Sequence, residues 1–242
     1  MHLGRLNQCH EYTMGGEDLK VTKEEKDLGV LVDNKLEFGN HIRAITNKAN
    51  RMLGMIKTGF TCMDKEIFMH LYPVLVRPLL EYCVQVWSPY KQKHIDTIER
   101  VQRRATKMVP ALRNKPYEDR LIALGLTKLV ERRFRGDMIE TYKIVSGKEN
   151  IHREKFFQMA PERGNPELFR GEKLAKNRPN KSLRANTFSQ RVVNPWNKLK
   201  KNEVQARKTS GFKAQFDKNE LERRSVRNLR VERDYKLLYY LV

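Results

Sequence analysis

Residues 24–38, "EEKDLGVLVDNKLEF", decide how the rest of the chain is read. An apolar run over 28–32 ends on Asp33. Metal-dependent phosphoryl-transfer enzymes often seat an aspartate at the end of such a strand, so Asp33 is either a catalytic acid or the polar end of a structural hairpin. Two-metal chemistry needs carboxylates that hold two cations about 4 Å apart, and an adjacent Asp pair on a tight turn is a common solution. The chain contains no Asp-Asp. Glu24-Glu25 reads as a charged connection, and Glu118-Asp119 as the first turn of a helix, where acids favour the dipole. Asp33 stands alone before Asn34-Lys35, a natural turn, so the hairpin reading is favoured.

On the N-terminal side, "YTMGGEDLKV" carries Gly15-Gly16, a turn signal between two short strands. With the apolar strand at 28–32 this predicts a small hairpin or three-stranded piece. Such a piece is marginal alone and must pack on the helices that follow or on a further domain. From about Asn40 the period becomes helical. Ile42, Ile45, Ala49, Met52 and Ile56 share a face, and Gly59 is a stop. Asp64 should cap a second helix with Ile67, Phe68, Leu71 and Leu75 inward, kinked or broken at Pro73 and Pro78. "LLEYCVQVW", 79–87, reads as the most buried stretch. A helix over 91–109 buries Ile98, Val101, Ala105 and Met108. A short helix after Pro116 puts Leu121 and Leu124 inward, and a longer one spans 127–145.

After Gly147 the periodicity weakens. Residues 160–183 are rich in Pro, Gly, Asn and Lys and read as loop or paired strands. "TFSQRVVNPWNKL" is a compact apolar patch expected to dock on helices. The predicted fold is therefore mainly α with a small N-terminal β-hairpin (α+β). Its expected segments are the hairpin (1–38), a helical bundle (39–147), a basic and less regular region (148–222) and a charged tail (223–242).

Lys and Arg number 49 against 29 Asp and Glu, a net charge of +20. That excess implies attraction to a polyanion, nucleic acid ahead of an anionic membrane surface. Three scattered cysteines, Cys9, Cys62 and Cys83, form no C-x-x-C pair and suggest a reducing compartment. No apolar run reaches membrane-spanning length, and the N-terminus lacks a signal-peptide core. The expected location is nucleus or cytoplasm, not secreted. No zinc spacing, phosphate-binding loop or nucleophile elbow occurs. Cys62 and His70 are a poor metal pair, and no catalytic or metal residue is assigned.

Between residues 91 and 135 there are 13 Lys or Arg against 5 Asp or Glu. Arg100, Arg103, Arg104 and Lys107 fall at i, i+3, i+4 and i+7, so their charges crowd one stripe. Like charges at that spacing destabilise a helix slightly, and a phosphate backbone offsets the repulsion. The alternative is a merely solvated face. With Arg113, Arg132 and Arg133 close in sequence, the seven make the candidate nucleic-acid-binding set.

"MHLGRLNQCHEYTMGG", "EEKDLGVLVDNKLEFGNHI", "LVRPLLEYCVQVWSPY", "IERVQRRATKMVPALRN" and "FSQRVVNPWNKL" together resemble the C-terminal part of LINE-type (non-LTR) retrotransposon reverse transcriptases of the jockey or chicken-repeat clade. The resemblance covers about residues 1–220, with the motifs in the family's order. Residues from about 223 match nothing in it. It implies the end of a polymerase palm, then a helical thumb and a post-thumb region. The family's Phe/Tyr-x-Asp-Asp turn would lie upstream of this chain. The resemblance further implies that this RNA-directed DNA polymerase fragment of a transposable element is not itself catalytic and needs no cofactor. Mg2+ would serve only the full-length polymerase. Partners would be RNA, DNA or a hybrid, bound through phosphates, with no membrane. The alternative is a co-opted nucleic-acid-binding or protein-interaction module without a transposon role.

Overall fold

The computed structural model describes residues 1–3, 7–160 and 173–223. The fold is mainly helical with two small antiparallel strand pairs at the N-terminus, as the α+β reading expected. The expected tail, 223–242, lies outside the described residues beyond its first position. The chain divides into two compact units. One is Met1–Arg135 with Asn180–Thr187, and the other is Gly136–Pro179 with the chain from Phe188 onward.

In the first unit, β1 (Thr13–Met14) and β2 (Glu17–Asp18) pair across Gly15-Gly16. Both glycines have positive φ, 65° and 86°, as a two-residue hairpin turn of the primed type requires. A second hairpin joins β3 (Glu24–Asp27) to β4 (Val30–Asp33), with Glu24 opposite Asp33. This corrects two expectations. The acidic stretch "EEKD" is a strand rather than a connection, and residues 28 and 29 are the turn rather than strand. Gly29 at φ 86° makes that turn possible, and it leaves Leu28 83% exposed.

The second hairpin packs on the helices. Val30 is buried in their core. Leu31 N–H donates to His41 Nδ1 (3.2 Å), and Tyr82 Oη donates to the Leu28 carbonyl (3.1 Å). Asn40 Nδ2 donates to Glu24 (2.6 Å).

Helix α1 (Gly39–Gly59) buries Ile42, Ala49 and Ile56 as the periodicity predicts, together with His41, Thr46 and Leu53. Asp64 caps α2 (Lys65–Leu71) by accepting from Ile67 N–H (2.8 Å). The helical path does not break at the prolines. It widens into a π turn, Tyr72–Val76, and continues as α3, Arg77–Glu81. Pro73 and Pro78 have no N–H to give, and the i→i−5 register, seen in Arg77 N–H to the Tyr72 carbonyl, re-routes the backbone bonds around them. The buried face becomes Phe68, Tyr72, Val76 and Leu80, and Leu75 turns outward at 38% exposure.

The apolar stretch 79–87 is only half buried. Cys83 adopts the left-handed conformation and breaks the helix, so Leu80, Val84 and Trp87 (in α4, Val84–Trp87) go inward while Tyr82 and Val86 stay out. Helix α5 (Gln92–Thr106) and α6 (Tyr117–Leu124) follow, then α7 (Leu129–Val145).

The second unit is built around aromatic packing. Phe212 stacks on Tyr142 with centroids 4.4 Å apart, and Trp196 and Phe216 flank it. Phe188 begins the short helix α9 (Phe188–Arg191; α8, Ser182–Ala185, belongs to the first unit), and Trp196 lies in α10 (Val193–Asn197). Arg191 makes a bidentate ion pair with buried Asp137, at 2.8 and 2.9 Å. Asn197 bonds both the N–H and the carbonyl of Leu174, as a strand partner would.

Candidate nucleic-acid interface

Helix α5 lies between α1 and α6, and its sequence says which arc each covers. Ile98, Val101 and Ala105 are buried, with Glu99, Gln102 and Thr106 beside them. The opposite arc holds Arg100, Arg103, Arg104 and Lys107, all exposed. Its two edges are fixed by the neighbouring helices. On the α6 side the Arg103 guanidinium lies over the Tyr117 ring, 4.2 Å from its centre. On the α1 side Arg104 donates to Asn50 Oδ1 (3.2 Å). Among the described residues none of the four forms a salt bridge. The stripe therefore crosses the whole solvent side of α5, with Asp96 as the acid at its N-terminal end.

α1 and α5 run side by side in the same direction. Glu37 pairs with Lys91 (2.8 Å) and Gly39 sits against His94 at their starts, and Asn50 meets Arg104 further along. Arg43 and Lys57 share Asn50's line on α1, seven residues to either side, and both are exposed. They extend the basic surface onto a second helix. The polar spacing Arg43, Asn47, Asn50, Gly54, Lys57 is present in the sequence, but only the packing shows which polar line of α1 borders α5.

The other named cations divide. Arg113 is exposed, just after the short 3₁₀ turn Pro110–Leu112. Arg132 and Arg133 do not join the exposed arc, which corrects their inclusion with it. Arg132 forms a bidentate ion pair with Glu81, and Arg133 is buried, 3% exposed. Sequence position alone could not separate these from Arg113, because the surroundings of Arg132 and Arg133 depend on where α7 lands. Arg120 is buried too, donates to the Arg103 carbonyl (3.3 Å), and its guanidinium lies 5.5 Å from the centre of the Tyr117 ring. Burial, with the Arg103 charge adding to it, holds Arg120 below the ordinary guanidinium range.

Beneath the stripe is a buried polar network. Tyr72 Oη donates to Gln102 Oε1 (2.7 Å), and Gln102 Nε2 donates to Tyr117 Oη (2.9 Å) and to the Thr127 carbonyl (3.0 Å). Tyr117 Oη donates to Glu99, whose other oxygen accepts from Leu129 N–H (2.9 Å) at the start of α7. Burial pushes both phenols well above their ordinary range. The network satisfies groups that would each cost about 1–3 kcal/mol if left unpaired, and it fixes α5 against α6 and α7 so that the stripe has one orientation.

Asp33 is organised as a turn residue. Its Oδ1 accepts from Lys35 N–H (3.0 Å) and Glu37 N–H (3.2 Å), and its Oδ2 from Phe38 N–H (2.6 Å). Leu36 and Phe38 have φ of 55° and 57°, conformations that side chains other than glycine rarely adopt, and the carboxylate holds the loop in that shape. Among the described residues no group of three or more His, Cys, Asp or Glu is placed to hold a metal ion, and no helix is long and apolar enough to cross a membrane.

No protein-family profile matches the chain, and no solved structure matches it. It is similar to an uncharacterized protein of Caenorhabditis elegans, 27% identical over 130 residues, a match that spans 52% of this chain and 66% of that protein, just under two thirds of its length.

Proposed function

We propose that this chain binds nucleic acid through backbone phosphates, with little sequence preference, and is a non-catalytic relative of the C-terminal part of LINE-type retrotransposon reverse transcriptases. The observation that carries the reading is the arc of Arg100, Arg103, Arg104 and Lys107, exposed together and free of carboxylate partners on a helix whose other face is locked by buried contacts. Four like charges on one arc repel one another, and a row of phosphates converts that repulsion into attraction. Contacts of this kind position a duplex without reading bases. The sequence resemblance supports the same reading, since a thumb holds template and primer by the backbone.

Asp33 has its carboxylate committed to three backbone N–H groups, and no second aspartate stands beside it in the sequence. The chain by itself performs no nucleotidyl transfer and uses no cofactor; Mg2+ belongs to the full polymerase of the family it resembles. Its working compartment is the nucleus or cytoplasm, where the polyanion is found.

The test is equilibrium binding to RNA, DNA and hybrid duplexes of unrelated sequence. Affinities within a few-fold of one another are expected, as for backbone contacts. A strong preference for one sequence, or no binding to any, overturns the reading. Primer extension with Mg2+ and nucleotides, abolished by Asp33→Ala, would overturn the non-catalytic part.

A further inference from the structure

A cavity of about 420 Å3 opens where α1 and α5 begin. Its walls include Phe38, Val86, Trp87 and Tyr90, and its rim carries Lys181 and Arg184 from the segment Asn180–Thr187. We propose that this cavity takes a single unpaired nucleotide, the base against Phe38 and Tyr90 and the phosphate at Lys181 and Arg184. The proposal rests on the nucleic-acid reading above and gives it a second, base-sized subsite.

Three observations carry it. The first is shape and surface. Phe38 and Tyr90 both line the cavity and are only part-buried. Trp87 is buried and closes the wall, its Nε1 donating to the Tyr82 carbonyl (2.7 Å). The space suits a flat, largely apolar body, and unpaired bases stack on such side chains regardless of sequence.

The second is charge. Lys181 and Arg184 are both exposed, and Glu37, the one acid of the lining, is engaged with Lys91 at 2.8 Å. The rim is therefore net positive. Two helices of 21 and 15 residues also start here, and neither N-cap residue, Phe38 or Lys91, supplies a side-chain acceptor. Their first N–H groups add positive potential at the same end. An apolar peptide or lipid tail would match the walls and leave this potential unanswered. A nucleotide answers both.

The third is continuity. Lys93 is exposed on α5, seven residues before Arg100, and so lies on the line of the stripe just past the cavity-lining Lys91. A strand whose backbone follows Arg104 and Arg100 toward the start of α5 passes the single exposed acid Asp96 and reaches Lys93 and the cavity-lining Lys91 beyond it.

The test uses the full 242-residue chain and two probes. One is a duplex with a single-nucleotide overhang, compared with the same duplex blunt. The other is adenosine monophosphate, compared with ribose 5-phosphate, which has the phosphate but no base. The overhang should bind roughly tenfold tighter, within the range that one stacked base contributes. Lys181→Gln with Arg184→Gln should erase that preference and leave blunt-duplex binding and its salt dependence intact. Both side chains are exposed, so folding is not at issue; Val86→Trp, which fills the cavity, is the second variant and should do the same. Adenosine monophosphate should abolish the preference, and ribose 5-phosphate should not.

Equal binding of overhang and blunt duplex, with no effect of adenosine monophosphate, overturns the cavity proposal and leaves the stripe reading standing. Direct binding of adenosine monophosphate but not ribose 5-phosphate, with no duplex binding at all, assigns the cavity to free nucleotides and removes the stripe reading. Equal competition by both small probes shows phosphate recognition alone and overturns the base subsite.

Discussion

Glu99 accepts from the buried phenol of Tyr117, and the Arg103 guanidinium lies over the same tyrosine ring, 4.2 Å from its centre. One side chain thus joins the buried network to the exposed stripe. Tyr117→Phe removes the hydrogen bonds to Glu99 and Gln102 while keeping the ring under Arg103. It should cost about 1–3 kcal/mol in denaturant unfolding and change nucleic-acid binding little. Tyr117→Leu should cost stability and also loosen Arg103. Equal stability of Tyr117→Phe and the unaltered chain would show that the network contributes nothing.

The same burial makes an alkaline prediction. Tyr72 and Tyr117 have folded-state values raised above the ordinary phenol range, by burial first. Their contribution to stability is complete below the unfolded phenol value, about pH 10, and is lost as pH rises from there toward the raised folded values. Absorbance titration should show two tyrosines that ionise only together with unfolding. Free titration of all nine tyrosines in the folded chain would contradict it.

Asp33→Ala should loosen the 34–38 loop, because Lys35, Glu37 and Phe38 lose a shared acceptor and the left-handed Leu36 and Phe38 lose what holds them. The expected loss is about 1–2 kcal/mol, with Asp33→Asn retaining part of it. Faster amide exchange at Lys35, Glu37 and Phe38 is the local readout. Unchanged exchange there would count against the turn role.

His41 ties the second hairpin to α1. Its Nδ1 accepts from Leu31 N–H, its ring packs steeply inclined to Trp87 with centroids 5.1 Å apart, and burial holds its pKa below the ordinary imidazole value. The charged form cannot accept that bond, so stability is full above the unfolded value, about pH 6.5, and is lost as pH falls through the folded one. Between pH 7.5 and 5 the denaturation midpoint should fall further in the unaltered chain than in His41→Gln, which does not titrate. Parallel falls would show that His41 is not the sensitive group.

The helices were legible because their signals are local. The spacing of Ile42, Ala49 and Ile56 and the cap at Asp64 each depend on neighbours within one or two turns. Two kinds of feature were not. Backbone exceptions came first: the prolines at 73 and 78 signal a disturbance, but neither the π turn at Tyr72–Val76 that absorbs it nor the left-handed Cys83 is encoded in a local period. Long-range pairings came second. Arg132 with Glu81 lies 51 residues apart, so the cations near the stripe could be counted in the sequence but not sorted into exposed and engaged. The exposed arc itself was legible, because i, i+3, i+4 and i+7 fixes one side of a helix whatever it packs against.

The most direct measurement is the salt dependence of duplex binding by the chain with Arg100, Arg103, Arg104 and Lys107 all replaced by Gln, which keeps helix propensity. The unaltered chain should show log K falling against log salt with a slope of roughly −3 to −4, as four phosphate contacts give. The four-fold variant should bind every sequence more weakly and show a clearly shallower slope. Lys213→Gln with Lys218→Gln, two exposed cations elsewhere, should change both far less. If the four-fold variant keeps the affinity and the slope, the stripe is only a solvated face and the proposed function falls.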